Sequence, residues 1–137
     1  IEETNNKINH LSSWQNFAKR AKTHSKNTLD ILESLNGKKI VGFGSSARSQ
    51  TYLNYCGINN DQIDAIIDNN PLKQGLFAPG SSIPLVTFDE GMDMKPDIIF
   101  ILAWNFKDEI VKECVSSGYK GKFLVPFPNE PYYYMTD

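Results

Sequence analysis

The sequence predicts an α/β domain: three layers around a mainly parallel, five-stranded sheet in the order 3-2-1-4-5, with an extra N-terminal helix. After residue 37, short apolar segments alternate with segments of helical periodicity, an order that favours right-handed crossovers between parallel strands. The segment DIIFILA at residues 97–103 is apolar at almost every position, which is typical of a strand covered on both faces. A glycine-containing turn joins the first strand to the first crossover helix, so the predicted fold is Rossmann-like.

Length and composition are those of one folded domain. The chain has 137 residues, of which 40% are hydrophobic and 22% are charged, and this argues against disorder. A net charge of −2 lacks the basic excess that binds phosphate backbones, so we expect no nucleic-acid partner. The longest apolar run, Ile98–Trp104, is too short to span a bilayer, and the polar N-terminus shows no signal peptide. We therefore expect a cytoplasmic protein with no membrane partner. Because the chain does not begin with Met, we also expect a fragment or a processed form.

The N-terminal segment, residues 4–35, contains no Gly or Pro and carries apolar residues at steps of three and four. This spacing predicts an amphipathic helix. Its apolar positions are Ile8, Leu11, Trp14, Phe17, Ala18, Ala21, Leu29, Leu32 and Leu35. We expect a break near Thr23–Lys26 and an end at Asn36-Gly37. Residues 1–36 are accordingly interpreted as a connector helix and residues 37–137 as the Rossmann-like domain.

Within that domain the apolar periodicity and the turn residues divide the chain into elements. The predicted strands are Lys39–Phe43, Ile63–Asp68, Ile83–Phe88, Asp97–Ala103 and Lys122–Pro126. The predicted helices are Ser45–Tyr55 and Phe106–Ser117, with a turn or short helix at Asp89–Met94. A long ordered loop is expected over residues 69–84. The tail from residue 128 onward, with three consecutive tyrosines, receives no element.

The turn after the first predicted strand is the sharpest local motif. Gly42 would permit a tight turn, and Gly44 would let a ligand approach the backbone. The start of the following helix presents free N–H groups to an anion, assisted by the hydroxyls of Ser45 and Ser46. Arg48 lies in the first helical turn, where a cation is unfavourable unless an anion binds nearby. The alternative is a tight turn that binds nothing.

Further candidates follow the second and fourth strands, whose carboxyl ends lie at the ligand-binding edge of such a sheet. Asp68 stands where dinucleotide-binding domains place a ribose-binding acid, or else caps the turn at residues 69–71. Trp104 could stack on a base or a sugar, or else fill the core. Asn105 could bind the ligand or cap the next helix. Phe106 is expected mainly in the core.

The glycine turn does not match a binding site for S-adenosylmethionine. The first strand of methyltransferases usually carries an acid two residues before the first glycine of a G-x-G-x-G motif. Here Ile40 occupies that position, and Ser46 replaces the third glycine. We therefore expect no cofactor bound by this segment.

No catalytic or metal-binding set is predicted. Cys56 and Cys114 are too far apart in sequence for a metal knuckle and are read as half-buried thiols. His10 and His24 lie in the polar N-terminal segment, away from any predicted strand end. The sequence therefore predicts a binding domain rather than a catalytic one.

Several segments taken together resemble the C-terminal domain of the sugar C-methyltransferase family, which methylates a carbon of nucleotide-linked deoxysugars. The similarity covers roughly residues 37–128. It rests on Gly37–Gly44, Ala47-Arg48, Thr51, Leu53–Ile58, Asp68–Pro71, Lys73–Gly75, Pro79-Gly80, Ile83-Pro84, Leu102–Phe106 and Gly121–Pro126. One departure is Ser45–Ser49, where the family commonly has a run like Ala-Pro-Ala-Lys-Gly; Arg48 keeps the cationic character.

The resemblance implies the C-terminal, substrate-side domain of an S-adenosylmethionine-dependent C-methyltransferase, with a nucleotide-sugar as its ligand. In that family a zinc-binding region and a methyl-donor domain with the catalytic histidines and tyrosines precede this domain. Zinc, the methyl donor and the catalytic residues are thus expected upstream, and the upstream methyl-donor domain is an expected partner. Two alternatives remain: a free-standing NAD(P)- or nucleotide-binding module, and a non-catalytic interaction domain.

Overall fold

The computed structural model describes residues 2–73, 75–127 and 131–135, with side chains from residue 13 onward. The helices are α1 (Glu2–Ser34), α2 (Ala47–Cys56), α3 (Phe88–Asp93) and α4 (Lys107–Ser116). The strands are β1 (Ile40–Phe43), β2 (Ala65–Ile67), β3 (Leu85–Val86), β4 (Ile98–Ile101), β5 (Lys122–Val125) and β6 (Tyr132–Tyr134). Two short 3₁₀ turns occupy Pro71–Lys73 and Trp104–Phe106. The expected loop over residues 69–84 contains the first of these turns and a single bridge between Phe77 and Pro84.

The sheet has the order β3-β2-β1-β4-β5-β6. The first five strands are parallel, which confirms the predicted order and fold class. The sixth strand, absent from the sequence prediction, pairs antiparallel with β5. Its tyrosines are held in part by lysines: the Lys107 ammonium lies 4.1 Å from the ring centroid of Tyr134, and that of Lys122 lies 5.4 Å from Tyr133. Such cation–π contacts favour the pairing of a short edge strand.

Alternate residues of the strands point to opposite faces of the sheet and build two cores. On one face Ile40, Ile66 and Phe100 pack with residues of α1 and α2, among them Leu32 and Leu53. The other face packs against α3 and α4. Its buried strand residues include Val41, Ile67, Ile99, Ile101 and Phe123. The domain is therefore a three-layer sandwich, with the sheet covered on both faces as the apolar strand sequences indicate.

The N-terminal helix is continuous, so the predicted break near Thr23–Lys26 is wrong. The Thr23 hydroxyl donates to the carbonyl of Lys19, and the Thr28 hydroxyl donates to that of His24. Both hydroxyls thus bond to a carbonyl one turn earlier, so they are satisfied within the helix and do not form a new cap that would divide it. The side chains of the stripe residues Ile8 and Leu11 lie outside the described part of the structure. The tail residues 128–130 and 136–137 also lie outside it. The division of the chain at residue 36 stays a prediction.

Both cysteines are free and fully buried rather than half-buried, with 3% and 0% of their surface exposed. Cys56 packs in the α1/α2 core and Cys114 in the α4 core. In the part of the chain that the structure describes, no helix is long and apolar enough to cross a membrane.

Candidate functional site

The glycine turn lies where the sequence predicts, at the carboxyl edge of the sheet, but its two glycines serve packing. Gly42 is the third residue of β1 and not part of the turn. A Cβ there would lie 2.9 Å from Leu102 Cδ1 and 3.2 Å from Ile66 Cγ1. The expectation that Gly42 permits the tight turn is therefore wrong; this glycine leaves room for the side chains of Leu102 and Ile66 over the strand.

Gly44 forms the turn itself, with a φ of 102°. A Cβ at this position would lie 2.6 Å from the Cβ of Ala103, the residue that follows β4 by two positions. The Gly44 N–H donates to the carbonyl of Ile67. The glycine thus allows β1 to end against the neighbouring strand, and this requirement exists with or without a ligand.

The amino end of α2 is capped by one of the two predicted serines. The Ser46 hydroxyl accepts from the N–H of Ser49 at 3.2 Å, as an N-cap residue does. The N–H groups of Ala47 and Arg48, which precede that of Ser49, have no acceptor within the helix. The Arg48 side chain is exposed beside them. An anion at this end of α2 would meet two N–H donors and a cation.

Ser45 and Asp68 are brought together by the fold, but they bind each other. The buried Ser45 hydroxyl donates to Oδ2 of Asp68, and the Lys73 ammonium lies 3.6 Å from the same oxygen. Lys73 also donates to the Ser45 carbonyl at 3.2 Å. The other oxygen, Oδ1, accepts from the N–H of Asn70 at 2.8 Å, which is the turn-capping role. Both carboxylate oxygens are thus engaged within the protein. Lys73 belongs to one of the family motifs in the sequence but is not among the predicted site residues; a 3₁₀ turn brings it to this edge.

The helical period of α2 places the remaining candidates on two different sides. Arg48, Tyr52 and Tyr55 follow one another at steps of four and three and share a face. That face borders a cleft of about 530 Å³. Ser45 and Lys73 border a separate cavity of about 320 Å³ on the other side of α2. The predicted site therefore divides into a polar side near Asp68 and an aromatic side near Arg48.

The aromatic side is a cleft between α1, α2 and the carboxyl ends of β4 and β5, here called the aromatic cleft. Arg48 is the one charged residue among the described residues that line it. Its aromatic lining residues are Phe17, Tyr52, Tyr55, Trp104 and Phe127. Phe17 and Tyr55 are 57% and 55% exposed, so large rings face solvent here. A concave apolar surface of this kind is typical of a binding site.

Of the three residues predicted after β4, Trp104 alone lines the cleft. Its ring lies 5.4 Å from that of Phe127. Asn105 is exposed within the 3₁₀ turn, and α4 is preceded by Phe106 with no side-chain cap, so the capping role is wrong. Phe106 is 55% exposed and not a core residue. The intervening 3₁₀ turn rotates both side chains out to solvent.

Sequence reasoning missed the group that fixes α1 to the cleft. The Tyr52 hydroxyl lies 3.0 Å from His24 Nε2 and 2.8 Å from Thr28 Oγ1. The His24 ring stacks on Phe127, with centroids 4.7 Å apart and planes 9° from parallel. His24 therefore does lie near the end of a strand, contrary to the sequence prediction. The missed signal is Phe127 itself, an aromatic residue directly after the Pro that ends the predicted fifth strand.

The thiols of this domain are poorly suited to nucleophilic chemistry. Burial raises the pKa of the Cys56 thiol and raises that of Cys114 to about 12, which disfavours the reactive thiolate. Among the described residues, no group of three His, Cys, Asp or Glu side chains could hold a metal ion. The arrangement at the carboxyl edge can bind and orient a ligand.

The strand order, the helices on both faces and the glycine turn after β1 define a Rossmann-like α/β domain. The family model of the C-methyltransferase C-terminal domain matches residues 1–128. The chain belongs to this family, which confirms the resemblance seen in its motifs. A curated relative, the C-methyltransferase NovU of Streptomyces niveus, is 36% identical over 95 residues. The match covers 67% of this chain and 22% of the relative, so the chain spans about a fifth of that protein's length.

Proposed function

We propose that this chain is the substrate-side domain of an S-adenosylmethionine-dependent C-methyltransferase and that it binds a nucleotide-linked deoxysugar. Family membership and the C-methyltransferase relative support the enzyme class. The observation that carries the binding role is the amino end of α2, where the N–H groups of Ala47 and Arg48 have no acceptor within the helix and the exposed Arg48 side chain adds a cation. A diphosphate, the group that joins nucleoside and sugar, is complementary to this combination.

The methyl donor, in this proposal, is held by another domain of the enzyme. Ile40 stands where a donor-binding strand carries its acid, and it is 1% exposed in the core. The Ser46 hydroxyl caps α2 by accepting a hydrogen bond from the N–H of Ser49. Neither residue supplies a carboxylate for the donor's ribose. The upstream methyl-donor domain, with its catalytic residues and zinc region, would face the nucleotide-sugar from the opposite side.

The engagement of Asp68 favours this function over a free-standing NAD(P)-binding module. A dinucleotide site needs a free acid at the end of the second strand to bind a ribose. Here the Asp68 carboxylate already accepts from Ser45 and Asn70 and lies beside Lys73. A ribose would have to displace these partners.

The test is Arg48→Ala in the complete methyltransferase that contains this chain. Loss of one charge-assisted contact to the diphosphate should weaken substrate binding by about 1–3 kcal/mol, or about 5- to 150-fold in KM. Arg20→Ala removes the chain's other arginine, which is exposed on α1, and should leave KM unchanged. Equal KM values for the two variants would contradict the proposal.

A second measurement addresses the methyl donor. Calorimetric titration of the isolated chain with S-adenosylmethionine should show no heat of binding. A micromolar dissociation constant would show that the donor site lies in this chain after all.

A further inference from the structure

The aromatic cleft has a lining that matches one part of a nucleotide-sugar better than the others. Among the described residues, five aromatic rings and one cation, Arg48, line it. Aromatic side chains stack on nucleobases, since every base has a π-face, whereas a diphosphate and the hydroxyl groups of a sugar need polar partners. The complementary ligand is a flat ring system that carries a negative group at one end.

The aromatic cleft also begins beside the proposed diphosphate site at the amino end of α2. Arg48 lies in the first turn of α2, next to the N–H groups proposed to hold the diphosphate. Tyr52 and Tyr55 continue the same face of the helix, so the aromatic lining extends about 10 Å from Arg48 at 1.5 Å per residue. A ligand with its phosphates at the amino end of α2 would lay the attached nucleoside along this face.

The connector helix completes the cleft from the other side. Phe17 and Ala21 of α1 line it, and Phe17 stacks with Trp14 at a centroid distance of 5.9 Å. Both rings are more than half exposed, at 57% and 63%. The Tyr52 hydroxyl, bonded to His24 and Thr28, holds α1 against α2 at this point. The helix therefore contributes a wall of the cleft.

We propose that the aromatic cleft binds the nucleobase of the nucleotide-sugar, stacked between Trp104 on the β4 side and Phe17 on α1. This inference rests on the proposed function and assigns the base to one side of α2, away from Asp68. It makes Phe17, in the segment interpreted as a connector, a residue that determines affinity for the base.

The chain contains two tryptophans, which makes the inference directly measurable. Trp14→Phe leaves Trp104 as the sole tryptophan reporter in the cleft. This variant is titrated with the diphosphates of adenosine, guanosine, cytidine, uridine and thymidine, and with inorganic pyrophosphate as the base-free control. At least one nucleoside diphosphate should quench Trp104 fluorescence with a saturable curve, and pyrophosphate should not.

A matched pair of phenylalanines tests the wall on α1. Phe17 and Phe106 are 57% and 55% exposed, and Phe106 is not among the residues that line the cleft. In the Trp14→Phe background, Phe17→Ser should weaken binding of the quenching nucleotide by about 5- to 100-fold, the range for loss of one base–aromatic stack. Phe106→Ser should change it less than about twofold. Circular dichroism and thermal melting establish that both variants are folded.

The results that would contradict the nucleobase assignment can be distinguished from those that would contradict the proposed function. If calorimetry shows a nucleoside diphosphate binding while Trp104 fluorescence stays constant, the base lies elsewhere; this assignment fails and the proposed function stands. Quenching by pyrophosphate alone, or equal effects of Phe17→Ser and Phe106→Ser, would also overturn it. If no nucleoside diphosphate binds, the assignment is wrong, and Arg48→Ala in the complete enzyme decides separately whether the substrate-binding role holds. Burial of Trp104 only when the rest of the enzyme is added would identify a protein surface as the occupant.

Discussion

Replacing Gly44 by Ala separates two reasons for a glycine in the turn after β1. Gly44 has a φ of 102°, and an added Cβ would lie 2.6 Å from the Cβ of Ala103 and 3.1 Å from its backbone nitrogen. If glycine is required only for ligand approach, the substitution should spare folding. If it is required by the fold, the substitution should destabilise the domain without any ligand.

The expected loss can be built from two contributions. A positive φ costs an L-residue about 1–2 kcal/mol. Forcing a methyl group against the neighbouring strand adds about 1–3 kcal/mol, the usual range for overpacking. The free energy of unfolding should therefore fall by about 2–5 kcal/mol in total.

Gly57→Ala supplies the matched control. Gly57 ends α2 with a φ of 71°, and a Cβ there would meet nothing within 4 Å. It should lose only the backbone contribution of about 1–2 kcal/mol. Urea denaturation of both variants measures the difference, which is the clash with Ala103.

The double variant Gly44→Ala/Ala103→Gly removes the closest contact and should recover part of that difference. Equal losses for Gly44→Ala and Gly57→Ala would refute the packing argument and leave the positive φ as the structural reason for the glycine.

Three further predictions concern the core and its titratable groups. Ile99→Ala, in the buried centre of β4, should lower the free energy of unfolding by about 2–5 kcal/mol; a loss below about 1 kcal/mol in urea denaturation would contradict a central role for this strand. Tyr52→Phe leaves the fully buried Thr28 hydroxyl and His24 without their phenol partner and should cost about 1–3 kcal/mol, whereas Tyr55→Phe, on an exposed ring, should be neutral in the same measurement. Burial raises the pKa of the Cys114 thiol from about 9 to about 12, so this thiol loses its proton at lower pH in the unfolded chain than in the folded one. The free energy of unfolding should therefore decline as pH rises from about 9 toward 12. Cys114→Ala should flatten that decline, and an unchanged dependence of stability on pH would contradict the prediction.

The order of the sheet could be predicted because each parallel strand is a short apolar run bounded by polar or turn residues. The segments around Ile40–Phe43 and Ile98–Ile101 carry no alternation, and burial on both faces is the usual cause. The tail strand Tyr132–Tyr134 could not be predicted in this way. Its pairing depends on the edge of β5 and on two lysines that lie on other elements, Lys107 on α4 and Lys122 on β5.

The candidate site was predicted only in outline. The sequence indicates that Gly44, Ser46, Arg48 and Trp104 lie at the carboxyl edge, since parallel strands bring their ends together. It does not show that Ser45 and Asp68 bind each other, because residues 23 positions apart become neighbours only when β1 and β2 pair.

The fold class, the strand order and the family could be inferred from the sequence alone, because these depend on local periodicity and on the order of short motifs. Tertiary structure decided what the motif residues do. Gly42 leaves room for Leu102 and Ile66, and Gly44 is required by its positive φ and its contact with Ala103. These neighbours lie on β2 or directly after β4. The aromatic cleft likewise joins residues from the beginning, the middle and the end of the chain. Such contacts depend on how elements pack in space, and no local pattern along the chain encodes them.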